Sequence, residues 1–154
     1  MAENLEIDNV DMKILALLTE DAQMPYTEIA KRVYVSSGTV HVRMKKMEKM
    51  GVVRGSALKV DFTKLGFDIT AFLGLYLEKS SLYHPVAAEL KKIPEIVSIH
   101  YTTGQYSLFL KIVCKNTVHL REVLSEKVQK IKGIERTETF ISLEESLERQ
   151  ISLR

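Results

Sequence analysis

The stretch Ser36–Met50, SSGTVHVRMKKMEKM, constrains this chain most. Val40, Met44 and Met47 recur at i, i+4 and i+7, the spacing of one helix face. Ser36 or Ser37 stands at its start. Either hydroxyl can cap a helix by accepting from a free backbone N–H of the first turn. At about 100° per residue, Gly38, Val42, Lys45, Lys46 and Lys49 fall on the opposite side, and within the helix that side carries no acid. Glu48 lies round toward the apolar stripe. Small residues in the first turn and lysines further along suit a helix whose N-terminal turn enters a groove while its lysines reach phosphates. An ordinary solvated basic face has the same composition. The segment before the helix separates the two readings.

Asp8 is placed to cap a helix running through Leu18, with Val10, Ile14, Leu17 and Leu18 on its apolar face and Leu15 widening it. Pro25 punctuates the loop after it. Thr27 is expected to cap a short second helix, Glu28 to Val33, that buries Ile29, Ala30 and Val33. A brief turn, Tyr34-Val35-Ser36, leads into the basic helix. Two helices joined by so short a turn, the second of them basic, form a helix-turn-helix, and the helix before them completes a three-helix DNA-binding module. A plain helical bundle is the alternative.

Charge favours DNA. The whole chain is nearly balanced, with 22 Lys and Arg against 20 Asp and Glu, but the distribution is not even. Residues 1–25 carry net −5, residues 26–64 net +6, and residues 65–154 net +1. A basic block of this kind is the footprint of a polyanion-binding module. The single cysteine, Cys114, has no partner for an internal disulfide, which fits a reducing cytoplasm. The acidic start MAENLEIDN lacks the apolar core of a signal peptide, and no apolar run is long enough for a membrane span. No membrane partner is expected.

Gly51 is expected to stop the basic helix. Val52 to Gly55 and Ala57 to Val60 then read as two short strands around a Gly-Ser turn. They form either a small wing, with Arg54 and Lys59 on phosphates, or the hinge to a second domain. Asp61 to Gly66 reads as a linker with a possible helical turn. The expected domains are therefore 1–53, a helix-turn-helix unit; 54–67, wing, hinge and linker; and 68–154, the second domain.

The second domain alternates strand and helix patterns. Ile69 to Leu77 is a dense apolar strand. Tyr83 to Ile93 is helical, with Pro85 in its first turn and Pro94 ending it. Ile96 to Thr103 and Tyr106 to Lys115 form a hairpin around Gly104-Gln105. Val118 to Ile131 is helical, and Ile134 to Leu143 is the last strand. The order βαββαβ is that of a ferredoxin-like fold with an antiparallel sheet, so the chain as a whole is α+β. Helices cover only one face of such a sheet. The other face, carrying Phe72, Tyr101, Phe109 and Ile141 according to register, needs cover, and pairing of two copies through it is expected.

The string VSSGTVHVRMKKMEKMGVV, a hinge, and a βαββαβ domain containing LGFDITAFLG, YTTGQYSLFLKI and TETFISL resemble the Lrp/AsnC family of prokaryotic transcription regulators over essentially the whole chain. The resemblance implies DNA binding modulated by a small effector, and dimers that assemble further, commonly to octamers. It places Ser36, Ser37, Gly38, Thr39, His41, Val42, Lys45 and Lys46 on the DNA side of the recognition helix, with a pseudo-palindromic double-stranded operator as the partner. Arg43 matches a usually basic position, although its place on the helical wheel lies nearer the buried side, where an acid of the first helix could pair with it.

The same resemblance places an amino-acid effector between subunits, around Thr103, Gly104, Gln105, Tyr106 and Ser107, with Thr137, Glu138 and Thr139 opposite. The chemistry suits a zwitterion. Backbone N–H groups around Gly104 can bind a carboxylate. Glu138, a threonine hydroxyl or a carbonyl can accept from an ammonium. Gln105 and Ser107 suit a side-chain amide, so asparagine is the first expectation. A glycine needed only for a tight hairpin turn is the competing explanation of Gly104. No other cofactor and no metal is implied. Two rival functions are an architectural protein that wraps DNA without an effector, and a tetrapyrrole decarboxylase on the same scaffold. His41, His84, His100 and His119 show no ligand spacing, and no nucleophile–base set is present, so no catalytic residues are expected.

Overall fold

In the computed structural model of the chain, residues 6–153 are described. The opening residues of the acidic N-terminus and Arg154 lie outside them. The chain divides into two compact units. One holds the first three helices up to Lys59 and takes in the tail from Leu147, and the other runs Val60–Ser146. The tail thus departs from the expected boundary, which placed it with the second domain.

In the first unit, α1 spans Asn9–Glu20, α2 Tyr26–Val33 and α3 Ser37–Lys49. Asp8 caps α1 through a reciprocal pair: the Asp11 N–H donates to Asp8 Oδ1 at 2.9 Å, and the Asp8 N–H donates to Asp11 Oδ2 at 3.1 Å. Helix α2 starts earlier than expected, and Thr27 caps nothing. Pro25 takes the cap position instead; its carbonyl accepts from the N–H groups of Glu28 and Ile29 at 2.9 and 3.1 Å, which leaves Thr27 inside the helix. Ser36, not Ser37, caps α3, accepting from the Thr39 N–H at 3.0 Å. Ile14, Ile29, Val40 and Met47 are each 0% exposed and form the centre of this unit's core. Each such side chain contributes about 1.5–3 kcal/mol.

Helix α2 ends on Tyr34, which takes the left-handed conformation with φ 59° and gives its N–H to the Ala30 carbonyl. It is the one non-glycine residue with positive φ among the described residues. The conformation costs a residue with a Cβ about 1–2 kcal/mol.

The expected wing strands are absent. Residues 52–60 join no ladder, and Lys59 donates to the Glu148 carbonyl at 3.3 Å. A lone two-stranded hairpin is marginal, and Leu58 stands 83% exposed instead of packing. The linker forms the expected turn: Asp61 caps a 3₁₀ segment, Phe62–Leu65.

In the second unit, β1 is Ile69–Leu77, α4 Tyr83–Leu90, β2 Ile96–Tyr101, β3 Leu108–Cys114, α5 Thr117–Glu122 and β4 Ile134–Ile141. The sheet order is β2-β3-β1-β4, with every neighbouring pair antiparallel. Leu73, Leu75, Leu108, Leu110 and Ile112 face the helices at 0% exposure, together with Cys114. Burial pushes the Cys114 thiol pKa up, in keeping with a small core residue. Helix α4 stops at Leu90, short of the expected Ile93, although Ile93 remains buried.

The last helix departs from the expected regular α-helix. After α5 it widens into a π-helical turn, Val123–Val128. Val123 and Val128 lie five residues apart, and both are 0% exposed. A π turn brings residues i and i+5 onto one face, which a regular α-helix does not.

Register also corrects the expected open face. Tyr101 pairs with Leu108, and Ile141 with Ala71, so both belong to the helix side; Tyr101 stacks on Tyr83 of α4 at 4.2 Å. The open face instead carries Phe72, Gly74 and Tyr76 of β1, Phe109 of β3, and Arg136, Glu138 and Phe140 of β4.

Candidate nucleic-acid interface and effector loop

Helix α3 buries Val40, Met44 and Met47 and turns Ser37, Gly38, His41, Val42, Lys45 and Lys49 outward. Thr39 is half-buried, with its hydroxyl 2.8 Å from that of Ser36. Val42 is 68% exposed, an apolar side chain free to meet the methyl or edge of a base. The His41 ring leans on Tyr26, with centroids 6.1 Å apart, so its direction is partly fixed by α2. Lys45 pairs loosely with Glu48 at 3.5 Å, both side chains well exposed. Arg54 and Lys59 lie on the extended segment after the helix, Lys59 exposed and Arg54 also open to solvent.

Lys46, expected on phosphate, turns inward, and Arg43 takes the pairing with acids at the first helix that its place on the wheel left open. Arg43 Nη1 donates to Asp8 Oδ2 at 2.6 Å and to Asp11 Oδ1 at 2.9 Å. Lys46 Nζ donates to Asp11 Oδ2 at 2.5 Å and to the Glu6 carbonyl at 3.2 Å. The face that is free of acid within α3 meets acids supplied by α1. Asp11 is 0% exposed, and both its oxygens are satisfied. Burial works against its ionisation, but Lys46 and Arg43 outweigh that and hold its pKa below the ordinary value. Arg43, with help from the Asp11 N–H, lowers Asp8 to about 2.

In the second unit the β2–β3 connection, residues 102–107, closes on itself. Thr102 Oγ1 donates to the Tyr106 carbonyl at 2.6 Å, and the Ser107 N–H donates to the Leu75 carbonyl at 2.8 Å. Ser107 Oγ accepts from the Leu77 N–H at 3.4 Å. Thr103, Gly104 and Gln105 form the exposed crown, where Gly104 takes φ 98°.

Tyr106 folds back from this crown across the open sheet face and lies on Gly74. A Cβ at Gly74 would stand 2.4 Å from the tyrosine ring, so only glycine admits the ring there. Tyr76 meets Tyr106 edge-on at 5.3 Å. The Tyr106 hydroxyl donates to Glu138 Oε2 at 2.7 Å, and the Tyr76 hydroxyl donates to Glu138 Oε1 at 3.2 Å. The guanidinium of Arg136 lies 3.9 Å over the Tyr76 ring and 3.7 Å from Glu138 Oε1. The Glu138 carboxylate pushes the Tyr106 hydroxyl pKa up to about 12.

Of the expected effector residues, this brings Tyr106 and Glu138 together and leaves Thr103, Gly104 and Gln105 at the crown. Thr137 and Thr139 point to the opposite face of β4, since they pair with Leu75 and Leu73 while Glu138 pairs with Gly74. Sequence reading misses Gly74, Tyr76 and Arg136. The lone glycine inside an apolar strand is the signal of close approach that could have found the first of them. Among the described residues, no group of His, Cys, Asp and Glu could hold a metal ion, and no helix is long and apolar enough to cross a membrane.

Residues 7–54 match the family model for a winged helix-turn-helix DNA-binding domain, and residues 70–151 match the Lrp/AsnC ligand binding domain. The chain belongs to the Lrp/AsnC family. It is 43% identical over 145 residues to the regulatory protein AsnC of Haemophilus influenzae, covering 94% of this chain and 97% of that protein. It is 40% identical over 149 residues to regulatory protein AsnC of Escherichia coli, covering 97% and 98%. The solved structure of E. coli AsnC superposes with a TM-score of 0.88 at 38% identity, covering 96% of this chain and 99% of that one. A transcriptional regulator from Neisseria meningitidis, solved as a complex with L-Met, shares the fold at a TM-score of 0.85 and 22% identity, covering 94% of each chain. As a member of the Lrp/AsnC family the chain is a DNA-binding transcriptional regulator, not an enzyme, which sets aside the decarboxylase reading.

Proposed function

We propose that paired copies of this regulator place their α3 helices in successive major-groove half-sites of a pseudo-palindromic operator. The exposed first two turns of α3 carry the reading. Ser37, Gly38, His41 and Val42 stand uncovered there, with Lys45 and Lys49 further along. Small and apolar side chains at base edges select sequence, and lysines at phosphates set salt-dependent affinity. Arg54 and Lys59 extend the phosphate contact. Arg43 and Lys46 serve by bracing α3 from behind, and Ser36 and Thr39 fix its first turn. Selection from a randomised duplex library tests this. The expected product is a two-fold symmetric site with half-site centres about 10 base pairs apart or a multiple of that. An asymmetric site would refute the paired arrangement.

The open sheet face, with Phe72, Phe109 and Phe140, supports pairing of two second units, and further assembly toward an octamer brings the effector loops of different subunits together. A small amino acid, asparagine first, binds there. The crown's backbone at Gly104 suits its carboxylate, and Gln105 and Ser107 suit a side-chain amide. Because Tyr76, Tyr106 and Arg136 already engage Glu138, the ammonium is best received by carbonyls and by Thr137 or Thr139 of a neighbouring subunit. Binding shifts the DNA-bound assembly only by its difference in affinity for the competing states. The regulator acts in the prokaryotic cytoplasm, at the nucleoid.

A further inference from the structure

Tyr34 occupies the turn between α2 and α3 in the left-handed conformation, at φ 59°. Glycine takes that conformation at no steric cost, and asparagine at little. A tyrosine there is strained, and burial offers no compensation, because its side chain is 94% exposed. Strain held without a packing return marks a position kept for contact outside the fold. Place decides which contact. Tyr34 lies two residues before Ser36, the cap of the helix that enters the groove, so its Cα stands at most about 7 Å from that of Ser36. It directly succeeds the last turn of α2, which carries Lys31 and Arg32. Beside the first turn of a helix seated in the major groove run the phosphates that border the groove, and tyrosine hydroxyls are among the groups that hold them.

We propose that Tyr34 is a DNA contact of this regulator, its hydroxyl donating to a backbone phosphate at the entrance of α3 into the groove. The proposal rests on the groove-seated α3 described above. A neutral donor adds affinity at every sequence without displacing a counterion, since counterion release accompanies phosphates neutralised by Lys and Arg. The contact therefore differs from that of a lysine in its response to salt.

The test uses the full chain and a mixed-sequence 40-base-pair duplex, with affinity measured by fluorescence anisotropy across a salt series. Wild-type binding with a steep salt slope tests the DNA-binding module itself, apart from Tyr34. Tyr34→Phe keeps the ring and backbone and removes only the donor. Tyr34→Gly removes the side chain and the strain. The expected result is that both variants lose about tenfold in affinity at each salt concentration with the salt slope unchanged, while Tyr34→Gly melts a few degrees higher than wild type. Wild-type affinity in both variants would overturn the proposal and leave Tyr34 as a helix cap alone. A loss confined to Tyr34→Gly would also overturn it, because the hydroxyl would then make no contact.

Discussion

The carboxylate of Asp11, 0% exposed in α1, receives the ammonium of Lys46 at 2.5 Å and the guanidinium of Arg43 at 2.9 Å, so one buried acid ties α1 to the recognition helix at two points. Removing Asp11 takes from Lys46 its carboxylate and leaves Arg43 with Asp8 alone, both cations still partly buried. Asp11→Ala is therefore expected to destabilise the first unit by about 3–5 kcal/mol, read as a lower urea midpoint. A loss under about 1 kcal/mol would mean that water replaces the acid at little cost.

The same network fixes a pH dependence. Asp8 and Asp11 both have folded pKa values below the ordinary 3.8, Asp8 at about 2. A lowered carboxylate stabilises the fold above its unfolded pKa and loses that contribution as pH falls through the folded value. Stability should thus hold above about pH 4 and fall steadily toward pH 2. In Asp8→Asn the slope over that interval should be shallower, as measured by denaturant unfolding at a series of pH values.

Salt should separate bracing lysines from contacting ones. Lys45 is exposed and only loosely paired, whereas Lys46 is held by Asp11. Lys45→Ala is expected to reduce the slope of log affinity against log salt by about 0.9 for each phosphate it no longer neutralises. Lys46→Met should leave that slope unchanged while lowering the melting temperature. Equal slopes for the two variants would show that both, or neither, reach DNA.

On the sheet, the close approach of Tyr106 to Gly74 makes two expectations. The phenol should ionise near pH 12, not near 10, in the ultraviolet difference between wild type and Tyr106→Phe, and Glu138→Gln should bring it back toward the ordinary value. Gly74→Ala leaves no room for the ring and should cost about 1–3 kcal/mol by overpacking, displacing Tyr106 from the carboxylate.

These relationships show where sequence reading reaches and where it stops. Local patterns are legible. Strand β1 runs Ile69–Leu77 as its apolar density predicts, and Val40, Met44 and Met47 line the buried face of α3 as their spacing predicts. Features that depend on partners distant in the chain are legible only in part: the wheel of α3 turns Arg43 toward the first helix, where Asp8 and Asp11 receive it. The wheel of α3 shows Lys46 on an acid-free side because Asp11 lies 35 residues away. The open face is misassigned at Tyr101 and Ile141 because strand register is set by pairing, and one step flips a side chain to the other face. The π turn at Val123–Val128 is hidden because Leu120, Leu124, Val128 and Ile131 alone keep the spacing of a regular helix. Exposure of Tyr34 and the overlay of Tyr106 on Gly74 are properties of the assembled backbone.

Effector response is central to this regulator's proposed role, and ligand-dependent unfolding tests it most directly. The full chain would be melted in the presence of each of the twenty amino acids in turn. A ligand present at about a hundred times its dissociation constant adds roughly 2.7 kcal/mol per site. The expected result is a clear rise in melting temperature with asparagine, reduced when Gln105 is replaced by alanine. An unchanged melting temperature with all twenty would contradict that role, leaving a regulator whose DNA binding answers to no free amino acid.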